Sequence, residues 1–365
     1  MSATLATPIE GPMAWTGEDL AGTTDWIRAL TTKEIEELEA AVCAARSRGL
    51  TWQTLAREDF VTPALDRTLA EVAEALERGR GLVLLRGIPV ERYSDDDLRL
   101  LYWGLGLHLG TPRYQNGNGE LIGDVRDENR LYGGVREVNP MKAGEPRTSR
   151  NKARSAGPLR FHTDRTDVVG LLCVRQAMKG GVSTLASTPA IHNAILAKRP
   201  DLLDALFTDY WRSRFGEEGT GKDGEGKNGG STTRATAYPL PIFGVRDGKL
   251  TSHYSLTFIE AAQLADDIPK LTPAQKEAID VLMATAQELC FEMTLEPGDL
   301  QLINSHVTYH GRTPFEDDAD SGHDRLLFRL WLSMPNNRAL PEGHEVLWRN
   351  IEANKVRGGI AQVAI

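Results

Sequence analysis

Residues 325–333, "RLLFRLWLS", alternate with a period of two. Arg325, Leu327, Arg329 and Trp331 fall on one face of an extended chain, and Leu326, Phe328, Leu330 and Leu332 on the other. The segment is a strand, and its two arginines are the puzzle. A guanidinium is costly to bury unless an anion meets it, and its planar fork suits a carboxylate. The plain alternative is an edge strand whose arginines reach solvent or pair with Asp317, Asp318 or Asp324.

Upstream, "GDLQLINSHVTYHGRTPFEDD" (298–318) contains a strand ending in Tyr309-His310-Gly311-Arg312, and residues 291–303 read as strand, Pro-Gly turn, strand. The apolar run "GLVLLRGIP" (81–89), bounded by Gly and Pro, is a buried strand. Helices are expected at 31–49, opened by the capping box Thr31-x-x-Glu34, from Pro63 to Gly79, and from Ser94 to Gly104 or Gly106. Two more are expected from Ser187 or Thr188 to Phe207, and from Thr272 to Leu289. There is no repeat and no linker between two cores. The expected fold is mainly β with flanking helices, one domain over 1–365, with 1–20 poorly ordered and 216–234 a flexible insertion.

A hydrophobic fraction of 41% and a charged fraction of 25% are those of a soluble globular chain. A net charge of −9, with basic residues scattered apart from a loose cluster between Arg147 and Arg165, argues against a nucleic-acid partner. Cys43, Cys173 and Cys290 are distant and odd in number, which favours a reducing compartment over a disulfide framework. No secretory signal and no membrane-spanning apolar run is visible, so a cytoplasmic location is expected.

"RFHTD" (160–164) places chemistry in this frame. If the stretch is extended, His162 and Asp164 point together, as an imidazole and a carboxylate on adjacent corners of a metal site must. The third ligand has to come from His108, His192, His253, His306, His310, His323 or His344. His-x-Asp alone arises by chance and usually means nothing.

The order His-x-Asp, a distant His at a strand end, then Arg fifteen residues on resembles the taurine dioxygenase (TauD/TfdA-like) family. The resemblance runs from "GLVLLRGIP" to "LWLSMP" and includes "FHTD", "KGGVSTLAS", "PGDL" and "HGR" followed by "RLLFRLW". It implies a double-stranded β-helix (jelly-roll, cupin-like) core and an oxygenase using Fe(II), 2-oxoglutarate and O2. It also implies His162, Asp164 and His310 as the two-histidine, one-carboxylate metal triad. Arg325 matches the arginine that binds the distal carboxylate of 2-oxoglutarate, with Ser183, or Thr184 if the loop is shifted by one, hydrogen-bonding the same group. Arg329 matches a second arginine near cosubstrate or substrate. A homo-oligomer is expected on the same ground.

Rivals remain within the sequence. His306, four before His310, shares its face on a strand; the "HGR" context favours His310. Asp167 does not share a face with His162 and reads as a residue that supports the metal ligands from behind or as a structural one. His192 falls in a helix, His323 in an Asp/Gly/Ser-rich exposed loop, and Cys173 in the core. The chemistry implied is oxidation of an unactivated C–H, foremost hydroxylation, on a small carboxylate, amino acid or natural-product intermediate, with succinate and CO2 released. Desaturation or cyclisation are alternatives, and Asp164, a carboxylate rather than Ala or Gly, argues against halogenation. Residues 114–119, 126–154 and 238–243 are expected pocket walls. A zinc hydrolase would leave Arg325 and Ser183 without a task, and a non-catalytic jelly-roll binding protein would hold metal without turning 2-oxoglutarate over.

Overall fold

The computed structural model of the protein describes residues 4–128, 154–214 and 233–360. The expected insertion at 216–234 and the loop from Arg126 to Arg154 lie almost wholly outside them.

Two sheets face each other. The larger has seven strands, ordered Ile27–Ala29, Leu82–Arg86, Leu300–Asn304, Val168–Arg175, Leu326–Ser333 and Thr111–Pro112, with Ile122–Val125 also pairing with Leu326–Ser333. Only the first pair is parallel. The smaller sheet runs Phe291–Met293, Ser183–Ser187, Thr308–Arg312 and Leu159–His162, all antiparallel. Alternation along the strands makes two surfaces. Leu82, Leu84, Val169, Cys173, Ile303, Leu327 and Trp331 point inward and meet Leu185 and Met293 of the smaller sheet. Val83, Leu85, Leu172, Leu302, Phe328 and Leu330 point outward against the helices Thr32–Ser47, Pro63–Arg78 and Asp95–Leu109. The outer face of the smaller sheet, with Phe161, Ala186 and Tyr309, is covered by Thr188–Lys198 and Pro273–Leu289. This is the sandwich expected of a jelly roll with flanking helices.

Local signals hold where the chemistry is local. Thr31 and Glu34 form the capping box, and Thr272 with Gln275 forms another. Three expectations need correcting. The helix from Ser94 does not stop at Gly104 or Gly106 but continues to Leu109. A Cβ on Gly106 would stand 2.3 Å from Leu330 Cδ2, so the glycine lets the helix lie close on the sheet rather than ending it. The helix expected to reach Phe207 is two, broken at Arg199, because Pro200 has no N–H to continue the first. The Pro297-Gly298 turn joins two strands as expected, and these belong to different sheets: Phe291–Met293 pairs in the smaller and Leu300–Asn304 in the larger. Finally, from residue 4 the N-terminal segment packs. Trp15 and Leu20 are 2% and 1% exposed, the Trp15 indole donates to Arg80 O, and Thr16 caps a short helix.

Candidate metal and cosubstrate site

His162 ends its strand directly opposite His310. Cross-strand partners share a face, so both imidazoles point between the sheets, their centroids 4.1 Å apart. The extended run expected over 160–164 stops at His162. Asp164 reaches the same place from a loop, anchored where Thr163 N donates to Tyr254 O and Tyr254 N donates to Thr163 Oγ1. Asp164 Oδ1 lies 3.6 Å from His162 Nε2, and Oδ2 lies 3.9 Å from His310 Nε2. Among the described residues, this buried group is the only set of three His, Cys, Asp or Glu side chains whose ligand atoms come within 4.8 Å of one another.

The protonation states suit a cation. Burial lowers both imidazoles, His310 to about 3 with His162 beside it adding to the effect. They are neutral at physiological pH, as ligands must be. His162 Nδ1 lies 3.0 Å from Arg160 O, which selects the tautomer presenting Nε2 to the cluster. Burial alone would raise the Asp164 carboxyl; Arg329, the two imidazoles and the Trp331 N–H outweigh it and hold it below its usual range.

Trp331 Nε1 donates to Asp164 Oδ2 at 2.8 Å. Arg329 Nη1 stands 3.9 Å from that oxygen, and its Nε donates to Gln115 Oε1 at 2.6 Å. Gln115 is itself fixed, donating to Leu121 O and Arg329 O. Arg329 is therefore committed on the protein side.

Arg325, just before its strand, differs. It is 5% exposed, and its Nη1 has no partner. Asp317, one of its expected partners, accepts its backbone N–H, and Asp324 is taken by Arg126 and Arg175. Burial pulls the Arg325 guanidinium down to about 10 and that of Arg312 to about 9, where Arg325 adds its own repulsion. The two flank Phe315, at 5.1 and 4.7 Å from its ring. An unpartnered buried guanidinium nitrogen beside a second arginine fits a carboxylate, and two imidazoles with one carboxylate fit Fe(II). Ser183 pairs with Arg312, on the inward face of His310 and Leu185; Thr184 pairs with Gly311 and points to the other face.

The rival residues have other tasks. His306 lies in a turn, not on a strand, 2.9 Å from Asp167 Oδ1. Asp167 is buried and saturated with hydrogen bonds. His192 packs in its helix against Leu5 O, His253 binds Thr163 Oγ1, His323 is exposed, and Cys173 is core. Arg312 and Trp331 each share a face with a residue the sequence singles out, which is their signal; Gln115 falls in the expected pocket wall 114–119, but nothing in the sequence ties it to Arg329.

A buried two-histidine, one-carboxylate cluster between two sheets, in a chain that also buries an arginine with an unpartnered nitrogen, fits a mononuclear non-haem iron oxygenase. The chain belongs to the "Taurine catabolism dioxygenase TauD, TfdA family", whose model matches residues 46–331. It is 31% identical to FR-33289 synthase of Streptomyces rubellomurinus, over 92% of this chain and 94% of that protein. It is 25% identical to the taurine hydroxylase-like protein SAT17 of Stachybotrys chartarum, over 89% and 80%. Its fold is shared with asparagine oxygenase in complex with Fe(II), 3-hydroxyasparagine and succinate (TM-score 0.61, 19% identity, 84% of this chain and 93% of that one). It is also shared with the non-heme iron oxygenase OrfP in complex with Fe and alpha-ketoglutaric acid (0.58, 16%, 86% and 96%). The protein is an Fe(II)- and 2-oxoglutarate-dependent dioxygenase. Among its described residues no helix is long and apolar enough to cross a membrane.

Proposed function

We propose that His162, Asp164 and His310 hold the iron and that Arg325, with Ser183, binds the distal carboxylate of 2-oxoglutarate. The enzyme then hydroxylates an unactivated C–H of a small amino acid, a related carboxylate or a natural-product intermediate, releasing succinate and CO2. The observation that carries this reading is the buried triad together with the unpartnered Arg325 Nη1.

Bound Fe(II) and 2-oxoglutarate supply the oxidising power with O2; the protein supplies position and buried surroundings. Trp331 engages Oδ2 of Asp164 and so favours Oδ1 for the metal. The inward row Val169, Ile303 and Leu327 keeps water from the reacting atoms. Arg325 and Ser183 orient the cosubstrate from one end. Because Arg329 is engaged by Gln115 and Asp164, its part is to hold the Asp164 side of the site rather than to grip 2-oxoglutarate. Amino-acid substrates are supported by the neighbours solved with hydroxyasparagine and with L-Arg, and natural-product chemistry by the synthases among the relatives.

The test is a panel of amino acids and small acids with Fe(II), 2-oxoglutarate and O2. A compound that stimulates succinate release and gains one oxygen atom supports hydroxylation. A product that has instead lost two hydrogens moves the reading to desaturation or cyclisation. No stimulation by any amino acid or carboxylate, with another chemical class active, overturns the substrate class.

A further inference from the structure

The loop that carries Asp164 is gripped by a segment beyond residue 331, where the family match ends. Asp167 Oδ1 accepts from Arg357 Nε at 2.7 Å and lies 2.9 Å from His306 Nε2. Its Oδ2 accepts from Asn337 Nδ2 (2.7 Å), Met334 N (3.0 Å) and Ser333 Oγ (3.1 Å). All these groups are buried, Arg357 at 1% exposure.

The contact continues past Arg357. Gly358 and Gly359 take φ of +70° and +68° in succession. Gly359 N donates to Arg165 O at 2.7 Å, and Ile360 N donates to Tyr114 O at 2.8 Å, next to the Gln115 that holds Arg329. A Cβ on Gly358 would stand 2.9 Å from Arg165 O. In return, Arg165 Nε donates to Leu347 O at 3.0 Å. Thus Arg165 and Asp167, one and three residues after the ligand Asp164, are both tied to one distant piece of chain.

We propose that residues 333–360 form a strap that sets the position of the ligand loop, with Asp167 as anchor and Asn337, Arg357 and Gly358 as positioning residues for the metal. The inference rests on the reading that His162, Asp164 and His310 hold that metal. A buried ion pair is a poor way to gain stability, since apolar residues of the same volume often serve as well. Five donors converging on a carboxylate that does not itself join the metal cluster are explained by placement. Groups that orient ligands in this way typically change metal affinity by about 10- to 100-fold when lost.

The experiment uses the full chain and Co(II) as the probe, read by titration and by its visible d–d absorption. Asn337→Ala and Gly358→Ala should bind Co(II) about 10- to 100-fold more weakly, with a shifted spectrum. Glu352→Ala, which breaks only the surface pair with Arg246 on the same segment, should bind as wild type does. By reciprocity, Co(II) should slow hydrogen exchange of the Gly359 and Ile360 amides in the unmutated protein, a readout that needs no variant. Unchanged Co(II) affinity in both variants, with a lowered Tm, would make the strap merely structural and overturn the proposal. So would exchange at Gly359 and Ile360 that ignores the metal. If the unmutated protein takes up no Co(II), the metal assignment itself falls and the strap's role with it.

Discussion

Arg325→Met should move stability and cosubstrate affinity in opposite directions. Burial takes this guanidinium from 12.5 to about 10, so keeping it charged in the interior costs about 3 kcal/mol at neutral pH. Its Nη1 recovers nothing, having no partner. Met keeps an apolar stem of similar reach, and the backbone N–H to Asp317 survives. The contact with the Phe315 ring is lost, worth about 1 kcal/mol. Without cosubstrate, the variant should therefore be about 2 kcal/mol more stable, a Tm rise of a few degrees. The opposite holds for 2-oxoglutarate. Truncating one partner of a buried charge pair costs about 2–5 kcal/mol, which is a KM raised about 30- to 4,000-fold. The assay is calorimetry of metal-loaded protein with and without 2-oxoglutarate, beside steady-state kinetics. The cosubstrate should raise the Tm of the unmutated protein and leave that of the variant unmoved. A variant less stable than the parent in the absence of 2-oxoglutarate, or a KM within about threefold of it, would refute the reasoning.

Other outcomes follow from the same geometry. Trp331→Phe removes one hydrogen bond to a charged acceptor, worth about 1.5–3 kcal/mol, and should weaken Co(II) binding about 10- to 150-fold by titration. His310→Ala should abolish uptake of the metal, whereas His306→Ala should still take up one equivalent with a lowered Tm; the reverse would reassign the ligand. Acid should destabilise the fold early. His344, held at about 3 by burial, and His253, held well below its usual value by burial with Arg212 beside it, are neutral when folded. The unfolded chain protonates them first, so stability is intact above pH 6.5 and falls below it, by about 1.4 kcal/mol at pH 5.5 for His344 alone. Asp167, held to about 2, works at the other end: its contribution is present above about pH 4 and is lost only as pH falls through 2. Denaturant titrations at pH 7.5 and 5.5 check this; equal midpoints would contradict it.

How much of this was legible in the sequence depends on chain distance. Capping boxes at Thr31 and Thr272, the alternation over 325–333 and the pairing of His162 with Asp164 involve neighbours, and their physics is local. The resemblance added His310 and Arg325, which no spacing rule would have joined to them. What stayed hidden was closure through space. Trp331 meets Asp164 across 167 positions, Arg329 meets Gln115 across 214, and Arg357 meets Asp167 across 190. Nothing in "RGGI" near residue 357 announces an anchor for a ligand loop. The reading of 160–164 as one extended stretch brings His162 and Asp164 together by an incomplete route, since the strand ends at His162 and backbone bonds to Tyr254 turn Asp164 into place. Pro200 is a local signal that divides its helix.

Fe(II) and 2-oxoglutarate should bind together at one buried site. The most direct test works without oxygen, by adding Fe(II) and then 2-oxoglutarate to the metal-free protein and recording the visible spectrum. A weak charge-transfer band should appear only with both present, be lost in His310→Ala, and need far more 2-oxoglutarate in Arg325→Met. A protein that binds Fe(II) at the triad yet shows no band at saturating 2-oxoglutarate would contradict it.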